Sequence, residues 1–252
     1  MTGSGTAPGL RGRGALTAGR SPGLTAPNPG HPPAVTSPRP APSDLPDLTA
    51  PGFFDRQDER DDAVFYGPPR LVHHIDDAAI TAVGAFYDEV GADGDVLDLM
   101  SSWVSHISTP PRHLTVLGMN TAELEANTRA DAVVVHDLNA DPTLPFADGS
   151  FDTVVCTVSV DYLVRPVAVF TEVARVLRPG GAFALTFSDR CFPTKAIRGW
   201  LDTDDAGHAR IVRAYFHASG AFTEPQVRRQ PTVGDPLHGV WARTPSGVGP
   251  RS

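Results

Sequence analysis

Residues 95–107 read DVLDLMSSWVSHI, and this stretch decides the fold. It opens with a short apolar run, residues 96–100, which a single acid, Asp98, interrupts. Two serines, Ser101 and Ser102, then end the run, as expected where a buried strand passes into a tight loop. In an open sheet of parallel strands, ligands bind beyond the carboxyl ends of the strands. We therefore expect Asp98 and the serines to face a ligand at that edge of the sheet.

Strands and helices alternate along the chain after this stretch. Apolar runs predict strands, and apolar residues spaced by three and four predict helices. The alternation predicts a Rossmann-like, doubly wound α/β fold with a mostly parallel sheet of about seven strands. The predicted strands are 95–100, 113–119, 132–136, 151–158, 182–187, 222–229 and 238–244, and the predicted helices are 78–90, 103–108, 121–128, 165–177, 195–200 and 206–219.

The N-terminal region differs from the rest in composition. Residues 1–51 are rich in Pro, Gly, Ser, Thr and Ala and nearly free of large apolar residues, so we expect a disordered tail. Its composition favours a linker, or a start codon assigned too early, over an Arg-bearing transit peptide. Residues 52–94 are expected to form a lid and a helix, with Asp76 or Asp77 as the helix N-cap. Residues 95–245 then form the α/β domain.

The overall composition disfavours several classes of protein. The 252 residues include 21 basic and 29 acidic ones, and the resulting net charge of −8 disfavours nucleic acid as a partner. No apolar run reaches the roughly 20 residues of a membrane span, and the N-terminus lacks the apolar core of a signal peptide. Cys156 and Cys191 lack the spacing of a metal site. We expect a cytoplasmic protein with neither a metal nor a membrane partner, and the sequence indicates no oligomeric state.

Two further segments carry a resemblance to a known family. Residues 137–152 read DLNADPTLPFADGSFD, and residues 172–181 read EVARVLRPGG. With these segments, the region from about residue 64 to residue 244 resembles the class I S-adenosylmethionine-dependent methyltransferases of the type 11 domain kind. The resemblance implies the class I strand order, S-adenosylmethionine as the cofactor and methyl transfer to an acceptor. The acceptor is expected to be a small molecule, since the chain has no basic stripe.

The resemblance also implies a cofactor site at the carboxyl ends of the first three strands. In the family, an acid and a glycine-rich turn hold the methionine part, a second acid holds the ribose, and a third binds the adenine amino group. Here the turn has no glycine, and the position of the ribose acid is Gly118, so Asn120 is the expected neutral substitute. The residues expected to bind the cofactor at these strand ends are Asp98, Met100, Ser101, Ser102, Asn120, Asp137 and Leu138.

Several of these residues also have a purely structural interpretation. Asp98 and Asp137 could cap the loops that follow them, although their positions favour ligand binding. Ser101 and Ser102 could satisfy the amides of their turn as readily as they could bond to the cofactor carboxylate.

A second cluster precedes the sheet, at Tyr66, Arg70, His73 and His74. If these residues fold over the carboxyl edge as a lid, Arg70 can pair with the cofactor carboxylate and Tyr66 can cover the ligand. His74 can then act as a catalytic base, because imidazole titrates near neutral pH. A surface loop with a buried tyrosine is the alternative. Cys191, in the loop after the fifth strand, is the other candidate catalytic residue.

Two functions remain for this fold. The favoured one is methyl transfer from S-adenosylmethionine, in which the protein mainly aligns donor and acceptor. The absent turn glycines and ribose acid motivate the alternative, a non-catalytic ligand- or partner-binding protein on a methyltransferase fold. A dinucleotide-dependent oxidoreductase is disfavoured, because no Gly-x-Gly-x-x-Gly follows the first strand.

Overall fold

The structure is a computed structural model that describes residues 44–247. A seven-stranded sheet lies at its centre. The strands are β1 Asp95–Leu99, β2 His113–Gly118, β3 Ala132–Val135, β4 Phe151–Thr157, β5 Leu177–Phe187, β6 Gln226–Gln230 and β7 Leu237–Arg243. Their order across the sheet is β3-β2-β1-β4-β5-β7-β6. The first five strands are parallel, and β7 pairs antiparallel with β5 and β6. The predicted mostly parallel sheet of about seven strands is confirmed.

Helices pack against this sheet through two apolar cores. The helices are α1 Asp62–Tyr66, α2 Asp77–Val90, α3 Thr121–Ala126, α4 Pro166–Val176, α5 Arg198–Leu201 and α6 Asp205–Ser219. Apolar residues of α4 and α6 belong to one core cluster, and those of α2 belong to the other. In β1, Leu97 and Leu99 join the first cluster and Val96 joins the second, because successive side chains of a strand point to opposite faces. The central strand is therefore buried on both faces.

The start of α2 agrees with the sequence. The side chain of Asp76 accepts a hydrogen bond from the Ala79 N–H at 2.8 Å, so the predicted N-cap is confirmed. Gly91 ends the helix in the left-handed conformation, with φ at 87°. Among residues 44–247, none of the helices combines the length and apolar character that crossing a bilayer requires.

The connection between β1 and β2 differs from its prediction. The sequence predicts a helix over 103–108, but residues 100–112 contain turns and bends and no helix. The hydroxyls of Ser101 and Ser105 donate instead to the carboxylate of Asp98. Such side-chain hydrogen bonds favour non-helical backbone, so they compete with a helix that the sequence supports only weakly.

Two short helices have no counterpart among the predicted elements: α1 and a 3-10 helix at Val160–Tyr162. Elements of five and three residues are too short to show a periodic apolar pattern. Within the predicted N-terminal tail, Leu48 packs against the first core cluster. Residues 1–43 of that tail lie outside the described part of the chain.

An ion cluster fixes the segment before α2 above the carboxyl edge of the sheet. Asp62, which is 4% exposed, accepts hydrogen bonds from Arg56 and from the Asn139 side chain, both at 2.8 Å. The ammonium of Lys195 lies 2.9 Å from the same carboxylate and donates to the Arg60 carbonyl at 2.8 Å. The loops after β3 and β5 thus hold this segment, and we call residues 56–75 the cover segment.

The cluster keeps its carboxylate charged. Burial alone would raise the pKa of Asp62, but hydrogen bonds from Asn139, Lys195 and Arg56 outweigh burial and hold that pKa below its ordinary value. A charged aspartate in this position remains stable only while both cations stay beside it.

Replacing Lys195 by Met tests the importance of the cluster. The Lys195→Met variant leaves the buried Asp62 with one cation, and removing one partner of a buried ion pair typically costs about 3–5 kcal/mol. Because Arg56 remains, we expect the free energy of unfolding, measured by urea titration, to fall by about 3 kcal/mol.

Arg60→Gln is the matched control, because the Arg60 side chain is exposed and pairs with Asp58 rather than with Asp62. We expect this control to change the free energy of unfolding by less than about 1 kcal/mol. Equal stability of Lys195→Met and the wild type would contradict the proposed importance of the cluster.

Candidate functional site

A cavity of about 340 Å³ lies at the carboxyl edge of the sheet, beneath the cover segment. Its size is that of a small-molecule site. The candidates His74 and Cys191 line it, as do all the residues expected to bind the cofactor, namely Tyr66, Arg70, Asp98, Met100, Ser101, Ser102, Asn120, Asp137 and Leu138. The fold therefore brings these residues together, and their individual roles stay predictions.

The turn after β1 adopts a glycine-like conformation without a glycine. Met100 has a φ of 56°, in the left-handed region where a side chain costs about 1 kcal/mol or more. The Ser101 N–H donates to the Leu117 carbonyl at 2.8 Å, which fastens the turn to β2. The absence of glycine thus adds the Met100 side chain to the cavity wall.

Asp98 ends β1 as a buried acid, 4% exposed. One oxygen of its carboxylate accepts the hydroxyls of Ser101 at 2.7 Å and Ser105 at 2.5 Å. Burial raises the pKa of Asp98 to about 6, and the two hydrogen bonds oppose that rise. Asp98 therefore changes charge much closer to neutral pH than an ordinary aspartate does.

Gly118 ends β2 at the position where the resemblance expects an acid for the ribose. A Cβ built on Gly118 would lie 2.2 Å from the carbonyl oxygen of Ser101 and 3.2 Å from the Leu124 side chain. No side chain fits so close to backbone, so the path of the turn after β1 requires glycine here. The packing of this turn against β2 therefore leaves no room for an acid at position 118.

Asn120 joins α3 to the cover segment. Its side-chain oxygen accepts the Glu123 N–H at 3.1 Å, which makes it the N-cap of α3. Its amide group donates to the carbonyls of Tyr66 and Gly67, both at 2.9 Å. Both amide N–H groups are thus engaged, and one acceptor site of the side-chain oxygen remains for the ribose contact that the sequence predicts.

Glu123 lines the cavity beside Gly118 without a predicted binding role. A Glu three residues after an N-cap commonly turns back to the cap. Here the Glu123 carboxylate instead accepts the Ser102 hydroxyl at 2.5 Å and the Arg70 N–H at 2.6 Å. It therefore connects the turn after β1 with the cover segment. The Asn-x-x-Glu spacing was the only sequence signal for this residue, and it indicates a helix start.

The cover segment contributes an arginine and an unpaired hydroxyl. The Arg70 guanidinium donates to the Phe65 carbonyl at 2.8 Å and lies 4.6 Å from the centroid of the Phe65 ring. The Tyr66 hydroxyl oxygen is buried and has no hydrogen-bond partner within residues 44–247. Burial also raises the pKa of Tyr66 above its ordinary value. A buried, unpaired hydroxyl in a cavity wall suits a ligand with a polar group.

The loop after β3 combines the two interpretations of Asp137. One of its carboxylate oxygens accepts the N–H groups of Asn139 at 2.8 Å and Ala140 at 3.1 Å, which is a loop cap. The same side chain lines the cavity, and so does Leu138, which is 4% exposed. The cap thus fixes a carboxylate at the cavity wall.

Imidazoles and aromatic rings line another part of the cavity. His73 stacks on Trp103 with ring centroids 5.1 Å apart, and His74 packs edge-on against Phe192 at 5.3 Å. Partial burial lowers the pKa of His74. Burial, with the nearby imidazoles His73 and His74, lowers the pKa of His106 to about 4. His106 is therefore neutral at physiological pH.

Cys191 is a weak nucleophile in this setting. Burial raises the pKa of its thiol to about 11, so the reactive thiolate is scarce at neutral pH. Across residues 44–247, no group of three or more His, Cys, Asp or Glu side chains could hold a metal ion.

Known proteins are similar to parts of this chain. Residues 103–185 match a family model described as a methyltransferase domain. A ubiquinone biosynthesis O-methyltransferase from Xanthomonas oryzae pv. oryzae is 27% identical over an alignment of 135 positions, which covers 49% of this chain and 54% of that protein. The chain spans about half the length of the curated relatives it matches.

Two solved structures also match. A chain from the complex between the Trm112 methyltransferase activator and a methyltransferase of Haloferax volcanii gives a TM-score of 0.48 at 16% identity, covering 69% of this chain and 92% of that one. An S-adenosylmethionine-dependent methyltransferase from Mesorhizobium loti gives a TM-score of 0.46 at 14% identity, and the match covers 63% of this chain and 95% of that one.

The sheet, with antiparallel β7 between β5 and β6 and a cavity at the carboxyl edge, defines a Rossmann-like protein of the methyltransferase type. The match over residues 103–185 covers about a third of the chain and is to a methyltransferase domain. Together with the sheet, this match supports a class I S-adenosylmethionine-dependent methyltransferase. The resemblance drawn from residues 137–152 and 172–181 is confirmed.

A methyl group at position 118 tests the packing of the turn. In Gly118→Ala the new Cβ meets the Ser101 carbonyl, so β2 and the turn must move apart, and overpacking of this kind costs about 1–3 kcal/mol. We expect urea titration to show a fall of about 2 kcal/mol in the free energy of unfolding. Gly247→Ala, whose Cβ would make an ordinary 3.8 Å contact, is the control. Wild-type stability of Gly118→Ala would refute the steric explanation.

The raised pKa of Asp98 predicts a pH dependence of stability. An acid whose pKa is higher in the folded state than in the unfolded state destabilises the fold as pH rises through the interval between the two values. Relative to Asp98→Asn, the wild type should therefore lose up to about 3 kcal/mol between pH 4 and pH 7. Urea titrations of both proteins at several pH values measure this difference. A pH-independent difference would show that Asp98 titrates normally.

Proposed function

We propose that the protein transfers a methyl group from S-adenosylmethionine to a small-molecule acceptor. The observation that carries the proposal is the single cavity in which the ends of β1 and β2 and the loop after β3 present side chains together. A nucleoside with an amino-acid tail needs an elongated site with polar groups at separate points, and Asp98 and Asp137 supply acids at two of them. The family relationship supports the same cofactor.

The residues suit the chemistry of this cofactor. Asp137 accepts a hydrogen bond from the adenine amino group, and the apolar Leu138 packs beside the base. Asp98, charged above about pH 6, attracts the ammonium of the methionine part. The unpaired hydroxyl of Tyr66 offers one further polar contact under the cover segment.

S-adenosylmethionine supplies a methyl group that its sulfonium already activates, so the protein mainly has to align the acceptor. The cover segment lies over part of the cavity, and the Asp62 cluster holds it in place. His106 is neutral at physiological pH and adds no positive charge beside a cationic cofactor. Partial burial lowers the pKa of His74 and so favours its neutral form. The neutral imidazole acts as the base that takes the proton of the acceptor.

We expect a small-molecule acceptor, because the cavity has a volume of about 340 Å³ and the chain is acidic. The 27% identical relatives are named O-methyltransferases. Hydroxyl compounds, with phenols first, are therefore the acceptors to test.

The alternative function is ligand or partner binding without catalysis. The observation in its favour is that residues 100–112 form no helix, so no helix N-terminus follows β1 to receive the cofactor carboxylate. The Ser101 hydroxyl, a further candidate for that contact, donates to Asp98 at 2.7 Å.

Titration of the full chain with S-adenosylhomocysteine, followed by calorimetry, tests the cofactor assignment. We expect saturable binding, and we expect Asp137→Asn to weaken it about 10-fold, because the amide keeps the loop cap but loses the charge. Asp141→Asn, an exposed acid that caps Thr143 in the same loop, is the matched control and should bind as the wild type does. No heat at millimolar ligand would favour the alternative function.

Transfer of a radiolabelled methyl group to a panel of phenols, alcohols and amines tests the reaction itself. A labelled product from any small acceptor, lost when the purified chain is omitted, supports the proposal. Cofactor binding without transfer to any acceptor, and transfer only to protein, would each contradict it.

A further inference from the structure

The segment between β4 and α4 forms part of the cavity wall in a strained conformation. We call residues 158–162, which include the 3-10 helix Val160–Tyr162, the wall segment. Val158, Ser159 and Tyr162 line the cavity. Val158 has a φ of 42°, in the left-handed region that a β-branched residue rarely adopts. Such a backbone persists only where surrounding contacts hold it, so the wall segment depends on its neighbours for its position.

Contacts with the loop after β5 hold the wall segment in place. The Ile197 N–H donates to the Asp161 carbonyl at 3.0 Å, and the Phe192 N–H donates to the Tyr162 hydroxyl oxygen at 2.9 Å. Phe192 lines the cavity as well. A displacement of the wall segment would therefore change two parts of the cavity wall together.

The wall segment contains a buried acid, Asp161, which is 3% exposed. The Oδ2 atom of its carboxyl group has no hydrogen-bond partner within residues 44–247, and Asp161 forms no ion pair in that part of the chain. A carboxylate that is buried without a cation is costly. The carboxyl group of Asp161 therefore stays neutral in this position.

The titratable groups around Asp161 cannot compensate a negative charge. They come from α1, β4, the 3-10 helix, the loop after β5 and α6, and none of them is a base. A charge on Asp161 would raise the pKa of each of these groups, which are Tyr66, Cys156, Tyr162, Cys191 and Tyr215. Asp161 thus ionises readily only where water can reach it.

We propose that the wall segment is a pH-sensitive switch, which keeps its observed position while Asp161 is protonated and leaves that position when Asp161 ionises. Because Ser159 and Tyr162 flank Asp161 and line the cavity, displacement of the segment gives the carboxylate access to water. The same movement releases the strain at Val158. The shape of the cavity then depends on pH, whatever ligand the cavity takes.

The direction of the switch follows from the two environments of the carboxyl group. Burial raises the pKa of Asp161 to about 8, although hydrogen bonds from its own N–H and from Tyr162 oppose the rise. In water the pKa would return to about 4. Between these two values only the displaced segment loses its proton, so rising pH favours displacement by up to about 10-fold for each pH unit.

Hydrogen exchange of the full, ligand-free chain, followed by mass spectrometry, tests the switch. The amides of Tyr162 and Leu163 report on it, because both donate to carbonyls of the wall segment, at 3.2 Å and 3.4 Å. After correction for the chemical pH dependence of exchange, we expect their protection in the wild type to fall at least about 10-fold between about pH 5 and about pH 8. In Asp161→Asn, whose side chain has a similar size and stays neutral, their protection should not change.

Asp189→Asn is the matched control, because Asp189 is an exposed acid in the loop that holds the wall segment. It should lose protection with rising pH as the wild type does. Constant protection in the wild type would overturn the inference. Equal losses in the wild type and in Asp161→Asn would also overturn it, because they would assign the pH dependence to another group, such as Asp98. Both results leave the proposed function standing, since the experiment contains no ligand.

Discussion

The close approach of the Ser101 carbonyl to the end of β2 is the constraint on which the site depends. The turn after β1 reaches β2 through the hydrogen bond from the Ser101 N–H to Leu117, and only a glycine at position 118 leaves room for it. Met100 accepts a left-handed backbone to complete the turn. This packing contact thus explains why position 118 carries no acid, although the resemblance in sequence leads one to expect an acid there.

Buried charged side chains stabilise the other side of the cavity. Lys195, the single lysine of the chain, joins the loop after β5 to Asp62 in the cover segment, and Asn139 joins the loop after β3 to the same carboxylate. A buried ion cluster is a poor source of net stability, but it tolerates few alternative arrangements, since each misplaced charge would be left uncompensated. We regard its contribution as positional: it sets where Tyr66 and Arg70 stand above the strand ends.

The sequence predicts what depends on local pattern. Apolar runs indicate the strands, and the rule that parallel sheets bind ligands at their carboxyl edge is enough to gather Asp98 and Asp137 into one expected site. Contacts between distant residues escape such reasoning. The bond from Ser102 to Glu123 spans 21 residues and that from Arg70 to Glu123 spans 53, so no window of sequence contains them. The same limit explains the wrong helix over 103–108, where serine hydroxyls bind Asp98 rather than support a helix.

Glu123 links the two halves of this arrangement, because one carboxylate receives the turn after β1 through Ser102 and the cover segment through the Arg70 N–H. A group shared in this way couples its partners: whatever stabilises the carboxylate in place also stabilises the observed position of the cover segment, and the converse holds by thermodynamic reciprocity. Replacing Glu123 would therefore loosen the turn after β1 and the cover segment together.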